Sequence, residues 1–407
     1  MTDIMKGVRI LEVAEHTFVP AASAILADWG AEVIKIEHVE RGDAMRGLAS
    51  SGVMPMTGGV HVLLEHSNRG KKSIGVDLTT EKGVELVYKL AATCDVFLTN
   101  KLPDIRKKLK IDLEDIKAHN PNIIYVAGTG AGERGPDANK GGYDFLSYWC
   151  RAGSAMGATP TDVEYMVSQP GPGYGDSIGG MTIAGGILGA LFHRERTGEA
   201  LPVDVSLLGV GMWAMSPGIA LSLQLDMPWR PGPSKGGGGL ANPLVGTYFT
   251  EDGKVLAFSC LQGFKYWPGA CRAIGRAELI DDERFNSHEQ LAANAAAARA
   301  VLTEVFAAKP LTEWKQRLDS FEGQWAVAQD TMEVVADPMV AANGYLGETA
   351  TADGTAFQLV TTPVQFAGAP AAPKRAPEFN EHCEEILGLI DCDTEEMLEL
   401  KVAGVVA

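Results

Sequence analysis

Asp176 lies in Gly-Tyr-Gly-Asp-Ser-Ile-Gly-Gly-Met, just ahead of an apolar, glycine-spotted stretch that reads as a helix over 177–196. Aspartate is among the best N-cap residues, so a plain cap accounts for it. Covalent chemistry accounts for it as well. A helix N-terminus stabilises a carboxylate, a carboxylate can act as a nucleophile, and Gly175, Gly179 and Gly180 would let a bulky ligand approach the backbone. Farther along, Gly185, Gly186 and Gly189 each cost a helix about 1 kcal/mol relative to alanine. Close packing against another element is the expected reason for them.

Two basic clusters could hold a ligand with several phosphates: Arg69, Lys71 and Lys72, then Lys101, Arg106, Lys107, Lys108 and Lys110. Solvated helix faces explain such runs equally well. The run Lys235–Gly239 has no following Gly-Lys-Ser/Thr and opens no helix, so it is not a P-loop. A flexible linker and a mobile lid lending N–H groups to a reactive intermediate both fit it. The 8 histidines show no metal-ligand spacing, and the 6 cysteines form no CxxC pair. No metal is expected.

The elements that must carry these residues follow from periodicity. Residues 8–13, 31–37, 96–98 and 123–126 read as strands; 21–29, 81–92 (capped by Thr79 or Thr80) and 113–119 read as helices. Alternation at this spacing predicts an α/β, doubly wound, largely parallel sheet. Residues 216–246 hold Pro217, Pro228, Pro231, Pro233, Pro243 and the glycine run, a linker composition. After it come a hairpin over 246–260 turning at Glu251-Asp252-Gly253, helical segments at 289–308 and 311–320, and a return to strand and helix with helices at 381–389 and 394–401. The expected organisation is a large domain over 1–215, a linker over 216–245, a small α+β domain over 246–344, and a C-terminal return to the large domain over 345–407.

With 35 basic and 52 acidic residues the chain carries a net charge of -17, which disfavours nucleic acid and anionic membrane as partners. No stretch approaches the ~18 continuous apolar residues of a membrane span, and the start lacks a secretory layout. Few, unpaired cysteines fit reduced thiols in a cytoplasm. Residue chemistry alone reaches an α/β enzyme-like chain with a phosphate-bearing ligand.

Several segments in order carry the reading further: GVRILEVAEHTFVPAASAILADWGAEVIKIE, SNRGKKSIGVDL, DVFLTNKLPDIRKKL, NPNIIYVAGTGAGERGP, GGYDFLSYWCRAG, GDSIGGM, HRERTGEALPVDVSLL and EHCEEILGL. From about residue 6 to the C-terminus the chain resembles the class III CoA-transferase family, the formyl-CoA and carnitine CoA-transferase type that also contains the α-methylacyl-CoA racemases. The resemblance implies a Rossmann-like large domain plus a small domain, in an interlocked, ring-shaped homodimer. It implies Asp176 as nucleophile, passing through an aspartyl-acyl anhydride and an aspartyl-CoA thioester. A coenzyme A thioester is then a substrate, with a carboxylic acid as acceptor and no cofactor bound permanently. CoA contacts carry over to Thr17, Phe18, Val19, His38, Arg69, Lys71, Asn100, Lys101 and Lys108. His38 stands where many members have arginine, and Lys101 where phenylalanine is usual. Gly236, Gly237, Gly238 and Gly239 match the loop that shields the intermediate, with Tyr143 beside it.

The racemase branch is the alternative. It pairs the aspartate with a histidine, whose position is held here by Tyr143 in Gly142-Tyr143-Asp144; a tyrosine hydroxyl is a poor base at neutral pH. A non-catalytic acyl-CoA-binding protein is a third reading. Met212, Trp213, Met215 and Trp229 suggest an apolar acyl pocket for a bulky or aromatic acid, although core packing explains such residues as well.

Overall fold

A computed structural model describes residues 3–48, 50, 58–233 and 240–407. Its centre is a six-stranded sheet of β1 (Arg9–Val13), β2 (Glu32–His38), β3 (Lys72–Val76), β4 (Val96–Thr99), β5 (Ile124–Thr129) and β6 (Val203–Ser206). The order is β3-β2-β1-β4-β5-β6, and every neighbouring pair is parallel. β1 lies in the middle, with Ile10 opposite Val33 on one side and Val96 on the other. β4 and β5 are buried on both faces, which is why they read as continuous apolar runs rather than alternating ones. The chain builds outward from β1 to β3, then crosses back to β4. Ligands in such sheets bind at the carboxyl ends of the strands where that reversal occurs, here between β1 and β4.

Charges inside this unit are matched. Glu12 on β1 accepts from Lys35 of β2 at 2.7 Å and from Lys71 at 2.8 Å, and Lys35 also meets Asp43 at 2.8 Å, all with side chains 0% exposed. Burial alone would raise Glu12, but the two lysines hold it below the usual carboxylate range.

The helix Phe18–Asp28 leaves β1 and is buried along nearly its whole length against the long helix Tyr174–Thr197. Glycines make that approach possible. A Cβ at Gly179 would sit 2.3 Å from the Phe18 ring, one at Gly180 2.8 Å from the Ala21 Cβ, and one at Gly175 2.5 Å from Tyr148. The space expected there for a ligand is thus filled by protein. The opposite expectation, close packing at Gly185, Gly186 and Gly189, holds only at Gly186, where a Cβ would sit 3.0 Å from Val203; Gly185 and Gly189 are exposed with nothing within 4 Å. Helical spacing explains both corrections. Positions 175, 179, 183 and 187 share the inward face, whereas 178, 182, 185, 189 and 192 share the outward one.

Three chain segments build this unit (residues 1–155, 168–221 and 338–407), and a second compact unit takes 156–167 and 222–337. The predicted linker begins with a helix, Ser216–Leu225. Pro217 fits a first helical turn, where its missing N–H has no intrahelical partner, and the Leu-rich residues after it continue the helix. The second unit packs Trp267, Trp314, Phe285 and Phe306 under three antiparallel strands, β7 (Val245–Phe249), β8 (Val255–Ser259) and β9 (Trp325–Val327). Its predicted helix over 289–308 is interrupted at Asn294, which ends one helix and starts the next. In the first unit the last segment finishes edge strand β3: the His382 N–H donates to the Ser73 carbonyl, Gly75 N–H to Asn380 Oδ1, and Ala407 N–H to the Gly75 carbonyl.

Candidate active site

A cavity of about 350 Å³ opens at the carboxyl ends of β1, β4 and β5, the reversal point of the sheet. Asp176 forms part of it, facing Glu15 and His16 after β1, Asn100 and Lys101 after β4, and Tyr143. The loop after β1 is tightly set. His16 has a left-handed backbone (φ 67), and its N–H donates to Asp43 Oδ1 at 3.0 Å. Asp43 in turn rests on buried Lys35, so the internal charge network positions this wall of the cavity. Asn100 grips the same loop from β4: its Oδ1 accepts from the Glu15 N–H at 3.1 Å and its Nδ2 donates to the Glu15 carbonyl at 2.7 Å. The Glu15 carboxylate bridges Lys101 at 2.5 Å and Arg41 at 3.1 Å.

Asp176 is not the N-cap. Gly173 takes that position with φ 67, and Asp176 lies in the first turn, where the free N–H groups of the helix start favour a negative charge. Against that, burial and then the nearby charge of Asp144 push its carboxyl up to about 7. The next residue is braced: Ser177 Oγ donates to the Gly173 carbonyl at 2.8 Å and accepts from His66 Nε2 at 3.0 Å. Burial, with Arg69 adding to it, pulls His66 down to about 4, so this ring is neutral around physiological pH. Tyr143, 61% exposed, meets His16 edge-on with ring centroids 5.4 Å apart. The arrangement offers, at a cavity, a raised carboxylate with no ion-pair partner among the described residues, which suits nucleophilic attack on a carbonyl without a general base.

A family model for CoA-transferase family III matches residues 5–383. This chain belongs to that family. It is 28% identical to the (R)-2-hydroxy-4-methylpentanoate CoA-transferase of Clostridioides difficile over 99% of both chains. To the cinnamoyl-CoA:phenyllactate CoA-transferase of Clostridium sporogenes it is 29% identical, over 98% of this chain and 96% of the relative. The crystal structure of a CAIB/BAIF family protein from Brucella suis superposes with a TM-score of 0.79 at 28% identity, covering 95% of this chain and 99% of that one. Family and relatives are CoA-transferases, so the chain is read as an enzyme of that kind.

Within this CoA-transferase the structure sorts the residues singled out above. Phe18, Asn100, Lys101, Tyr143 and Asp176 meet in one cavity. His38 lines an adjoining cavity of about 220 Å³ at the ends of β1, β2 and β3, which shares Glu15, Lys101 and Ile105 with the first. Lys108 lines a third, of about 370 Å³, next to Leu78 and Thr79. Arg69 and Lys71 are elsewhere: Arg69 is buried against Asp28 at 2.9 Å, and Lys71 lies within the Glu12 network. Val19 and Thr17 are also buried, so their side chains pack rather than reach outward. Met212 and Trp213 are exposed and neither lines the Asp176 cavity. Gly236–Gly239 lie outside the described residues. Three residues had not been singled out: Glu15, His16 and Arg41. Their signal was position, since each follows the end of β1 or β2, where a sheet of this order places its ligands.

Proposed function

We propose that the chain moves CoA between carboxylic acids by loading Asp176 covalently. Asp176 attacks the donor thioester and releases CoA thiolate, leaving an aspartyl-acyl anhydride. The thiolate then takes the aspartyl carbonyl, giving an aspartyl-CoA thioester and the free acid, and an acceptor carboxylate reverses the sequence. The observation that carries this reading is the raised carboxylate of Asp176, with no ion-pair partner among the described residues, at the sheet's reversal point. The crevice from the Asp176 cavity past Lys101 and Arg41 to His38 supplies cations for the phosphates of CoA. Relatives named for cinnamoyl and branched hydroxyacyl substrates support a bulky or aromatic acid. Tyr143 at the histidine position supports transfer over racemisation. The glycine run 236–239 is proposed to shield the anhydride, and a cytoplasmic site of action fits the composition.

A homodimer with interlocked chains is part of the same proposal. Support comes from the outward face of the long helix, where Ile178, Thr182, Gly185, Gly189 and the 65% exposed Phe192 stand uncovered.

The test pairs donor CoA thioesters (aryl, branched hydroxyacyl and dicarboxylic) with free acids and follows the products by mass. Incubation with acyl-CoA and hydroxylamine yields an Asp176 hydroxamate, and Asp176→Ala abolishes transfer while CoA still binds. Full activity in that variant would sink the assignment.

A further inference from the structure

Asp144 follows Tyr143, which lines the Asp176 cavity, and precedes Tyr148, against which Gly175 packs; the resemblance assigns it nothing. It is 7% exposed. One oxygen accepts from the Phe145 N–H at 2.7 Å and the other from Gln169 Nε2 at 3.1 Å. The same Nε2 donates to the Gly171 carbonyl at 3.0 Å, which ties Asp144 to the segment leading into the helix of Asp176. Gln169 Oε1 is buried with no partner among the described residues. The amide is therefore oriented by its donor side, and turning it over would set oxygen against carboxylate. No lysine, arginine or histidine forms an ion pair with either aspartate among the described residues. Buried charges without a counter-ion are costly, and two like charges together more so.

We propose that Asp144 is a positioning residue for group transfer: its carboxylate disfavours the free Asp176 carboxylate and so favours the covalently loaded enzyme. The proposal rests on Asp176 being the residue that is loaded. In the first step an Asp176 oxygen bonds to the donor carbonyl carbon, the C–S bond breaks, and CoA leaves as thiolate. In the second the sulfur bonds to the aspartyl carbonyl, the aspartyl C–O bond breaks, and the donor acid departs as carboxylate. No proton moves, and one negative charge leaves the neighbourhood of Asp144 with the acid. Loading thus relieves the repulsion, and unloading restores it.

The other groups facing Asp176 do not supply this effect. Tyr148 lies against Gly175 and meets Tyr174 edge-on, with ring centroids 6.2 Å apart. His66, bonded to the adjacent Ser177, is neutral. Across the cavity Lys101 is matched by Glu15, and His16 and Tyr143 meet edge to face.

The test compares Asp144→Asn and Asp144→Glu with wild type. Asparagine caps a helix as well as aspartate does, and Gln169 can turn its idle oxygen to the new amide. Should the Asn variant not fold, Asp144→Ser, also a good cap, replaces it. With cinnamoyl-CoA and phenyllactate as the first probe pair, the pH midpoint of kcat/KM falls by about one unit in the Asn variant, the scale of a like-charge neighbour, and stays at the wild-type value in the Glu variant. The loaded fraction seen by intact-protein mass at fixed acyl-CoA falls about tenfold in parallel, the equivalent of one pKa unit. Equal loading and an unmoved midpoint in Asp144→Asn would overturn the role of Asp144 and leave that of Asp176 standing. Absence of any loaded species in wild type with every donor in the panel would overturn both.

Discussion

Replacing Asp176 by asparagine should make the protein more stable while ending its chemistry, and the gain should depend on pH. Burial and Asp144 raise the carboxyl from an ordinary 3.8 to about 7 in the folded chain. Between those values the native state holds a proton that the unfolded state has lost, so stability falls as pH rises through that window. The penalty is absent below the ordinary carboxylate range and complete above about pH 7. Three units at about 1.4 kcal/mol each set a ceiling of about 4 kcal/mol. The carboxyl borders an open cavity, so water reduces this, and about 1–2 kcal/mol is expected. Asparagine carries no charge and escapes the penalty at every pH. Urea unfolding of both proteins at one fixed concentration, at pH 5, 6, 7 and 8, measures the difference directly. Every other titrating group is common to the pair and cancels. A stability gap that stays constant from pH 5 to 8, or a wild type more stable than the variant at pH 8, would refute the reasoning.

Glu12→Gln should destabilise by about 3–5 kcal/mol, because among the described residues Lys71 loses its only carboxylate partner and Lys35 one of two; thermal unfolding measures it. The enzyme should not exchange the α-proton of a 2-methylacyl-CoA with heavy water at a catalytic rate, as followed by NMR; rapid exchange that disappears in a Tyr143→Phe or His16→Ala variant would restore racemisation. Unfolding should shift with protein concentration, and sedimentation at nanomolar concentration should show twice the 43.2 kDa of one chain. A stable, folded single chain under those conditions would exclude interlocking.

Four of the six strands, β1, β2, β4 and β5, were legible in the sequence, whereas the edge strands β3 and β6 were not; β4 and β5 are buried on both faces. The runs at Val96–Thr99 and Ile124–Thr129 are apolar without alternation, and Thr80 does cap the following helix by accepting from Gly83 N–H. Asp176 was legible as a motif residue, though not its place in the first turn of the helix, since a glycine cap carries no side-chain signature. Depth was the quantity the sequence hid. Arg69 and Lys71 look like a phosphate cradle until Glu12, a carboxylate in the middle of a buried strand, is seen to require an internal cation. That demand was present in Arg-Ile-Leu-Glu-Val and could have been traced. The outward direction of Gly185 and Gly189 could not, because both sides of that helix carry small residues and only packing decides which is covered.

The way the final segment completes β3 bears on how the chain is made. Emerging from the ribosome at roughly 5–20 residues per second, the first three strands wait tens of seconds for residues 380–407 before their outer edge is satisfied. During that wait the backbone groups of Ser73 and Gly75 form an open edge, the kind of surface on which nascent chains aggregate. A nonsense codon near the end of the reading frame would leave every residue of the Asp176 cavity encoded, yet strand the product in that half-closed state. Such truncations should therefore be lost to chaperones and proteolysis rather than accumulate as inactive enzyme.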